Sequence, residues 1–177
     1  MGEQPGDSSD VLRDRRRKLE ALRAAGVEPF PHEFDGVEPI AAVRLAHAGL
    51  APGEETESRH RVAGRLAARR GQGKMAFLDL VDRSGRIQLQ ARVDELGPDG
   101  MERLLSLDLG DLVGVDGVAF SSRRGELTLR VQAFTLLAKS LRPPPEKHHG
   151  LTDVETRFRH RELDLIANEE SRELFII

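Results

Sequence analysis

The sequence predicts a mainly β protein, a five-stranded barrel with helices on both sides. Three observations predict it. Between Val62 and Val131, apolar and polar residues alternate in four separate runs, the period of a half-buried strand. Short glycine-containing turns divide the runs. A single stretch with helical spacing interrupts them after the third strand.

The elements follow in order. Residues 1–10 are polar and acidic, without a secretory signal, and are expected to be disordered. Residues 11–57 form an N-terminal helical segment. Asp10 is placed to cap a helix from Val11 to Ala25, ended by Gly26. Leu12, Leu19 and Leu22 supply its apolar stripe, and Arg13, Arg15, Arg16, Arg17 and Lys18 crowd it. The charges form either a solvated face or an electrostatic contact to RNA. A second helix is predicted from Pro39 through Ile40, Val43 and Leu45 to Gly49, packed on the barrel.

Residues 58–140 form the barrel. In the first strand, His60 to Leu66, Val62 and Leu66 point inward and Arg65 outward. In Met75–Val81, Leu78 and Leu80 point inward, Phe77 and Asp79 outward. In Arg86–Gln90, Ile87 and Leu89 point inward, leaving Arg86, Gln88 and Gln90 outside. In Glu126–Val131 the leucines and Val131 point inward, leaving Glu126, Thr128 and Arg130 outside. Asp82-Arg83-Ser84-Gly85 and Arg123-Arg124-Gly125 are the hairpin turns. Between strands three and four, Leu96, Leu104 and Leu107 fit a short amphipathic helix within Val93–Leu107, weakened by Gly97, Pro98 and Gly100. A helix between the third and fourth of five strands predicts the OB-fold, a Greek-key barrel.

Residues 141–177 form a connector. Leu141-Arg142-Pro143-Pro144-Pro145 should be extended and stiff. Thr152-Asp153-Val154-Glu155 reads as a capping box for a helix to about Ala167. Asn168-Glu169-Glu170 begins another.

Arg65, Phe77, Gln88 and Glu126 share the outer face. An aromatic ring among hydrogen-bonding and cationic groups is a platform for an unstacked base. Its bland alternative is a ring packed under a neighbouring element. The net charge is only −3, so the chain as a whole is no basic nucleic-acid binder. From Ser58 to Leu78, however, there are six Lys or Arg and no acid, whereas Glu28 to Glu57 holds seven acids and one Arg. Cationic charge therefore gathers on the first strand and the following loop, Arg69 to Lys74. Zero cysteines exclude disulfides and thiolate metal sites, and no apolar run reaches membrane length. Gly71-x-Gly73-Lys74 is too short for a P-loop and lies between strands. His148, His149 and His160 have no metal-ligand spacing. No nucleophile has a convincing base.

The tract Lys139 to Asn168, with Leu141-Arg142-Pro143, Pro145-Glu146-Lys147, His149-Gly150-Leu151 and Leu163-Asp164-Leu165-Ile166, resembles the connector of bacterial class II lysyl-tRNA synthetases. Arg17-Lys18-Leu19, Pro29-Phe30-Pro31, Ala63-Gly64-Arg65, Gly85-Arg86-Ile87-Gln88-Leu89 and Gly125-Glu126-Leu127 agree. The resemblance runs from about Arg15 to the end. Pro144, Phe158 and Glu162 depart from it, the last two replacing tyrosines, and Gln90 stands where a tyrosine is frequent.

The resemblance implies an anticodon-binding portion, truncated before the catalytic domain. It implies that Phe77 stacks on the central anticodon uracil and that Gln88 and Glu126 bond base edges. Arg65 and Arg70 would supply phosphate or base contacts, with Arg16, Arg17, Arg69 and Lys74 as further RNA-backbone contacts. It also implies lysine tRNA as partner and a cytoplasmic setting. No cofactor is expected on this chain; ATP and Mg would belong to the missing catalytic domain. Three functions stay open: a tRNA-binding module without catalysis, part of an active lysine–tRNA ligase, and a non-catalytic paralogue. The last would dock on a full-length synthetase, or self-associate, through the C-terminal helices.

Overall fold

The computed structural model describes residues 8–143 and 153–174. It divides into two compact units, Met1–Leu141 and Arg142–Ile177. In the first, α1 (Ser8–Ala24) and α2 (Ile40–Ala46) precede β1 (Glu55–Arg70), β2 (Met75–Val81) and β3 (Arg86–Arg92). Then come α3 (Val93–Ser106), β4 (Leu112–Ser121) and β5 (Leu127–Ala138).

The strands close a barrel in the order β1-β2-β3-β5-β4. β3 and β5 run parallel, and every other pair is antiparallel. β1 is long enough to pair with β4 along its first part and β2 along its second. The crossing depends on Gly64, where a Cβ would lie 2.6 Å from the Val81 carbonyl oxygen. Val62, Leu66, Leu78, Leu80, Ile87, Leu89, Val115, Leu129 and Val131 fill the interior. α3 adds Met101 and Leu104 to this core, and Leu107 follows. Gly97, at φ 71°, divides α3 beside Pro98, which is why the first half of that segment reads poorly as a helix.

Several local expectations need correction. Ser8 to Asp10 belong to α1, so Asp10 sits in the first turn rather than at the cap. There it pairs with Arg13, and its charge suits the positive end of the helix. Arg15 is buried, donating to the Leu109 and Ser140 carbonyls at 3.0 Å each. Lys18 meets Asp108 at 2.7 Å. Leu12, Arg15, Leu19 and Leu22 therefore share the packed side of α1, and the cationic crowd is split between two faces. α2 stops at Ala46, and Leu45 is 79% exposed; Ile40 and Val43 alone supply its buried apolar contacts.

On the barrel, Asp79 and Thr128 alternate outward as expected but are buried, at 3% and 0% exposure. Long neighbouring side chains cover them, Arg70 and Arg86 lying against Asp79 and Gln88 against Thr128. Glu126 lies just before β5, in the hairpin.

In the second unit, α4 (Val154–Arg159), α5 (Arg161–Ala167) and α6 (Glu169–Glu173) replace the continuous helix expected to Ala167. His160 interrupts it, with φ −122° and ψ 60°. Asp153 caps α4, accepting from the Thr156 N–H at 2.8 Å. The expected capping residue Thr152 lies outside the described residues. So do residues 1–7 of the expected disordered N-terminus, Pro144 and Pro145 of the stiff connector, and His148 and His149.

Candidate nucleic-acid interface

The register of the sheet fixes the outer face. Phe77 stands opposite Gln90 on β3 and Arg70 on β1. One row along, Asp79 stands opposite Gln88, and Gln88 opposite Thr128 on β5. The next row holds Val81 opposite Arg86 on β3 and Arg65 on β1. Phe77 is half-buried, and Met75 beyond it on the same face is exposed.

A polar network links these rows. Asp79 lies between two guanidinium groups, Arg70 at 3.5 Å and Arg86 in a shorter contact. Arg70 also donates to Gln88 Oε1 at 3.0 Å. Gln88 Nε2 donates to Thr128 Oγ1 at 2.9 Å. Beside the network runs an open groove of about 1080 Å³, walled by Arg44, Arg70, Arg86, Arg124, Gln88 and Glu126 among others. Arg44 reaches in from α2, bonding the Arg86 carbonyl at 3.1 Å and facing the Glu126 carboxylate at 3.6 Å. The groove thus offers four guanidinium groups, an amide and the carboxylates of Asp79 and Glu126 next to the Phe77 ring.

The other candidates are placed differently. Arg65 lies on the outer face but four residues along β2 from Phe77 in register, about 13 Å at strand rise. Its guanidinium donates to the Gly110 carbonyl at 2.8 Å. Arg69, expected in the loop after the first strand, lies within β1 and off the outer face: it pairs opposite inward-pointing Leu78 and bonds the Leu105 and Leu107 carbonyls, the latter at 3.0 Å. These are orphan carbonyls at the C-terminal end of α3, which a cation suits. Lys74 is exposed in the β1–β2 loop. Arg16 and Arg17 are exposed on α1, with Arg17 paired to Asp14.

The structure therefore gathers Arg70, Phe77, Gln88 and Glu126 and adds Arg44, Asp79, Arg86 and Thr128. Alternation had already put Asp79, Arg86 and Thr128 on the outer face. Nothing in the local sequence marks Arg44, because its approach depends on how α2 lies over the hairpin turns. Ile40 N–H donates to Asp82 at 2.9 Å, and Ala41 N–H to Ser84 at 3.0 Å, fixing that approach. Among the described residues no cluster of three or more metal-ligating side chains occurs, and no helix is long and apolar enough to cross a membrane.

Residues 60–137 match the family model of the tRNA anticodon OB-fold nucleic acid binding domain. Across nearly its whole length the chain is similar to lysine–tRNA ligases. It is 43% identical to that of Halalkalibacterium halodurans over 96% of this chain and 34% of the relative. It is 46% identical to that of Moorella thermoacetica over 95% of this chain and 33% of the relative. For Lactococcus lactis the figures are 44%, 95% and 34%. The chain spans about a third of the length of the curated relatives it matches.

Proposed function

This chain is a homologue of lysine–tRNA ligases carrying their anticodon-binding OB-fold domain, and we propose that it binds the anticodon loop of lysine tRNA. The observation that carries the reading is the juxtaposition of Phe77, Arg70 and Gln88. Register places Phe77 next to Arg70, and Arg70 holds the Gln88 amide at 3.0 Å. The division of labour follows. Phe77 stacks on the central uracil, a sequence-tolerant contribution of about 1–3 kcal/mol. Gln88 and Glu126 bond base edges, where a carboxylate rejects acceptor-only edges. Arg70, with Arg65 and Lys74 at the margins, meets phosphates and makes affinity salt-dependent. Arg16 and Arg17 add long-range attraction.

Fluorescence anisotropy with lysine tRNA tests the reading. Phe77→Ala should weaken binding by about 1–3 kcal/mol, roughly 5- to 150-fold, and Glu126→Gln should alter base preference. Unchanged affinity in both variants would sink the assigned face.

A second reading is favoured by identity that extends past the barrel to nearly all of the chain. In it the chain is the tRNA-selecting part of a longer lysine–tRNA ligase, with ATP and Mg bound elsewhere and the work done in the cytoplasm. On either reading the chain alone binds without ligating. Lysine-dependent exchange between ATP and pyrophosphate by the purified chain should be absent, and measurable exchange would overturn this. Docking on a full-length synthetase, or self-association, is a further proposal. It is supported by the exposure of Val154, Phe158 and Leu174.

A further inference from the structure

Thr128 has no exposed surface, yet it bridges the two residues assigned to read base edges, through the Gln88 side chain and the Glu126 main chain. Its Oγ1 donates to the Glu126 carbonyl at 3.0 Å. A hydroxyl has one proton, so toward Gln88 that oxygen acts as an acceptor. Gln88 must therefore present its NH₂ end to Thr128, as it does at 2.9 Å. At the other end of the amide stands Arg70, a guanidinium with donors only, which requires the Gln88 carbonyl oxygen and bonds it at 3.0 Å. The two constraints are independent and select the same orientation. A flipped amide would set donor against donor at Arg70 and acceptor against committed acceptor at Thr128.

The same hydroxyl steadies the second reader. The Glu126 carbonyl also accepts from the Ser122 N–H at 2.9 Å, and the Glu126 N–H donates to Ser122 Oγ at 3.0 Å. The Glu126 backbone is thus pinned on both sides while its carboxylate stays open to the groove.

We infer that Thr128 is a positioning residue for base selection: its buried hydroxyl locks the Gln88 amide in one orientation and ties it to Glu126. The inference rests on the anticodon-reading assignment of this face. Thr128 touches no RNA; it determines which hydrogen-bonding edge Gln88 offers. With the amide locked, one of its N–H groups and one oxygen lone pair remain to meet a base, in a fixed order across the groove. With the lock removed, either order is available, and Gln88 accepts bases that the native order rejects.

The test uses the full chain and a synthetic anticodon stem-loop of lysine tRNA, together with stem-loops changed at one anticodon base at a time. Thr128→Val keeps the shape and removes the hydroxyl; Thr128→Ser keeps the hydroxyl. Thr128→Val should reduce discrimination at one anticodon position by about tenfold, the scale of one recognition hydrogen bond. Affinity for the cognate loop should fall by less. Thr128→Ser should retain discrimination. A wild-type chain without base preference would overturn the anticodon reading itself. A selective wild type with an equally selective Thr128→Val would overturn the role of Thr128 alone, as would a uniform loss for every loop. A second measurement does not depend on how the variants fold. In the free wild-type chain, the Gln88 side-chain amide should give two distinct proton resonances with one protected from exchange. Two equally unprotected protons would overturn the lock.

Discussion

In the barrel, Val62, Leu80, Ile87 and Leu129 have no exposed surface, whereas in the α4–α6 unit the buried positions among the described residues are Asp164 and Ser171. Asp164 is the hub there. It accepts from Arg157 at 2.8 Å, Arg161 at 2.7 Å, Asn168 at 2.6 Å and Ser171 at 3.2 Å. Its apolar residues Val154, Phe158 and Leu174 stay exposed. One region is held by area removed from water, the other by a carboxylate that organises four donors. The first mechanism is indifferent to pH and suits a platform that must keep its shape while binding. The second depends on one ionised group.

Leu80→Ala should break the first mechanism with the largest effect, about 2–5 kcal/mol of barrel stability, because a cavity opens at a site with no exposure. Chemical denaturation followed by circular dichroism measures it; a loss below about 1 kcal/mol would mean that the core repacks easily.

Next in size is Asp164→Ala, which strands four donors. Amide protection should collapse through α5 and α6 and persist in β2, β3 and β5. Unaltered protection in α5 would show that the hub is not what holds these helices.

A pH titration sharpens the same contrast. The Asn168 side chain, then Arg157 and Ser171, hold the Asp164 carboxyl at about 2 against the opposing effect of burial. A depressed carboxyl stabilises the fold above its ordinary value of 3.8, and that contribution disappears as pH falls through about 2. Helical signal from α5 should therefore fade between about pH 4 and pH 2, and the Asp164→Asn variant should lack the transition. The barrel unit carries a partly buried counterpart at Asp108. Burial raises the Asp108 carboxyl, but bonds from Lys139 and Lys18 outweigh it and hold it low.

The smallest effect lies between α2 and β1. His47 and His60 share a hydrogen bond of 2.8 Å, and His60 meets Glu38 at 3.0 Å. Burial, then the neighbouring His60, hold His47 below its ordinary 6.5, against Glu38. A histidine so depressed resists protonation in the fold, so stability falls as pH drops below 6.5. NMR titration should find His47 changing below that value. A midpoint at or above it would contradict the geometry.

Much of this molecule was legible from periodicity. Leu78 with Leu80, and Ile87 with Leu89, declared their strands because a half-buried sheet has a period of two. Phe77 stood out because an aromatic on the polar side of such a run has no core to enter. The burial of Asp79 and Thr128 was hidden, because alternation assigns a face and says nothing of what covers it. Arg69 reads as a residue of the loop after the first strand, whereas β1 extends through Arg70. A register shift between Leu66 and Ala68 changes the parity of β1, and no local residue pattern marks it. Arg15 looked like one more solvated charge until the Leu109 and Ser140 carbonyls were brought to it.

The chain by itself determined the barrel, its order of elements and the outward direction of Phe77 and Gln88, since these follow from spacing along one strand at a time. Only the tertiary structure decided that Arg44 faces Glu126, that Arg65 lies a strand-length from Phe77, and that Thr128 joins Gln88 to Glu126. Those relations run between strands and across turns. Closure of the sheet and the lie of α2 over the hairpin turns set their distances, bringing Arg44 to Glu126 across 82 positions of chain and letting one buried hydroxyl orient the groups beside it.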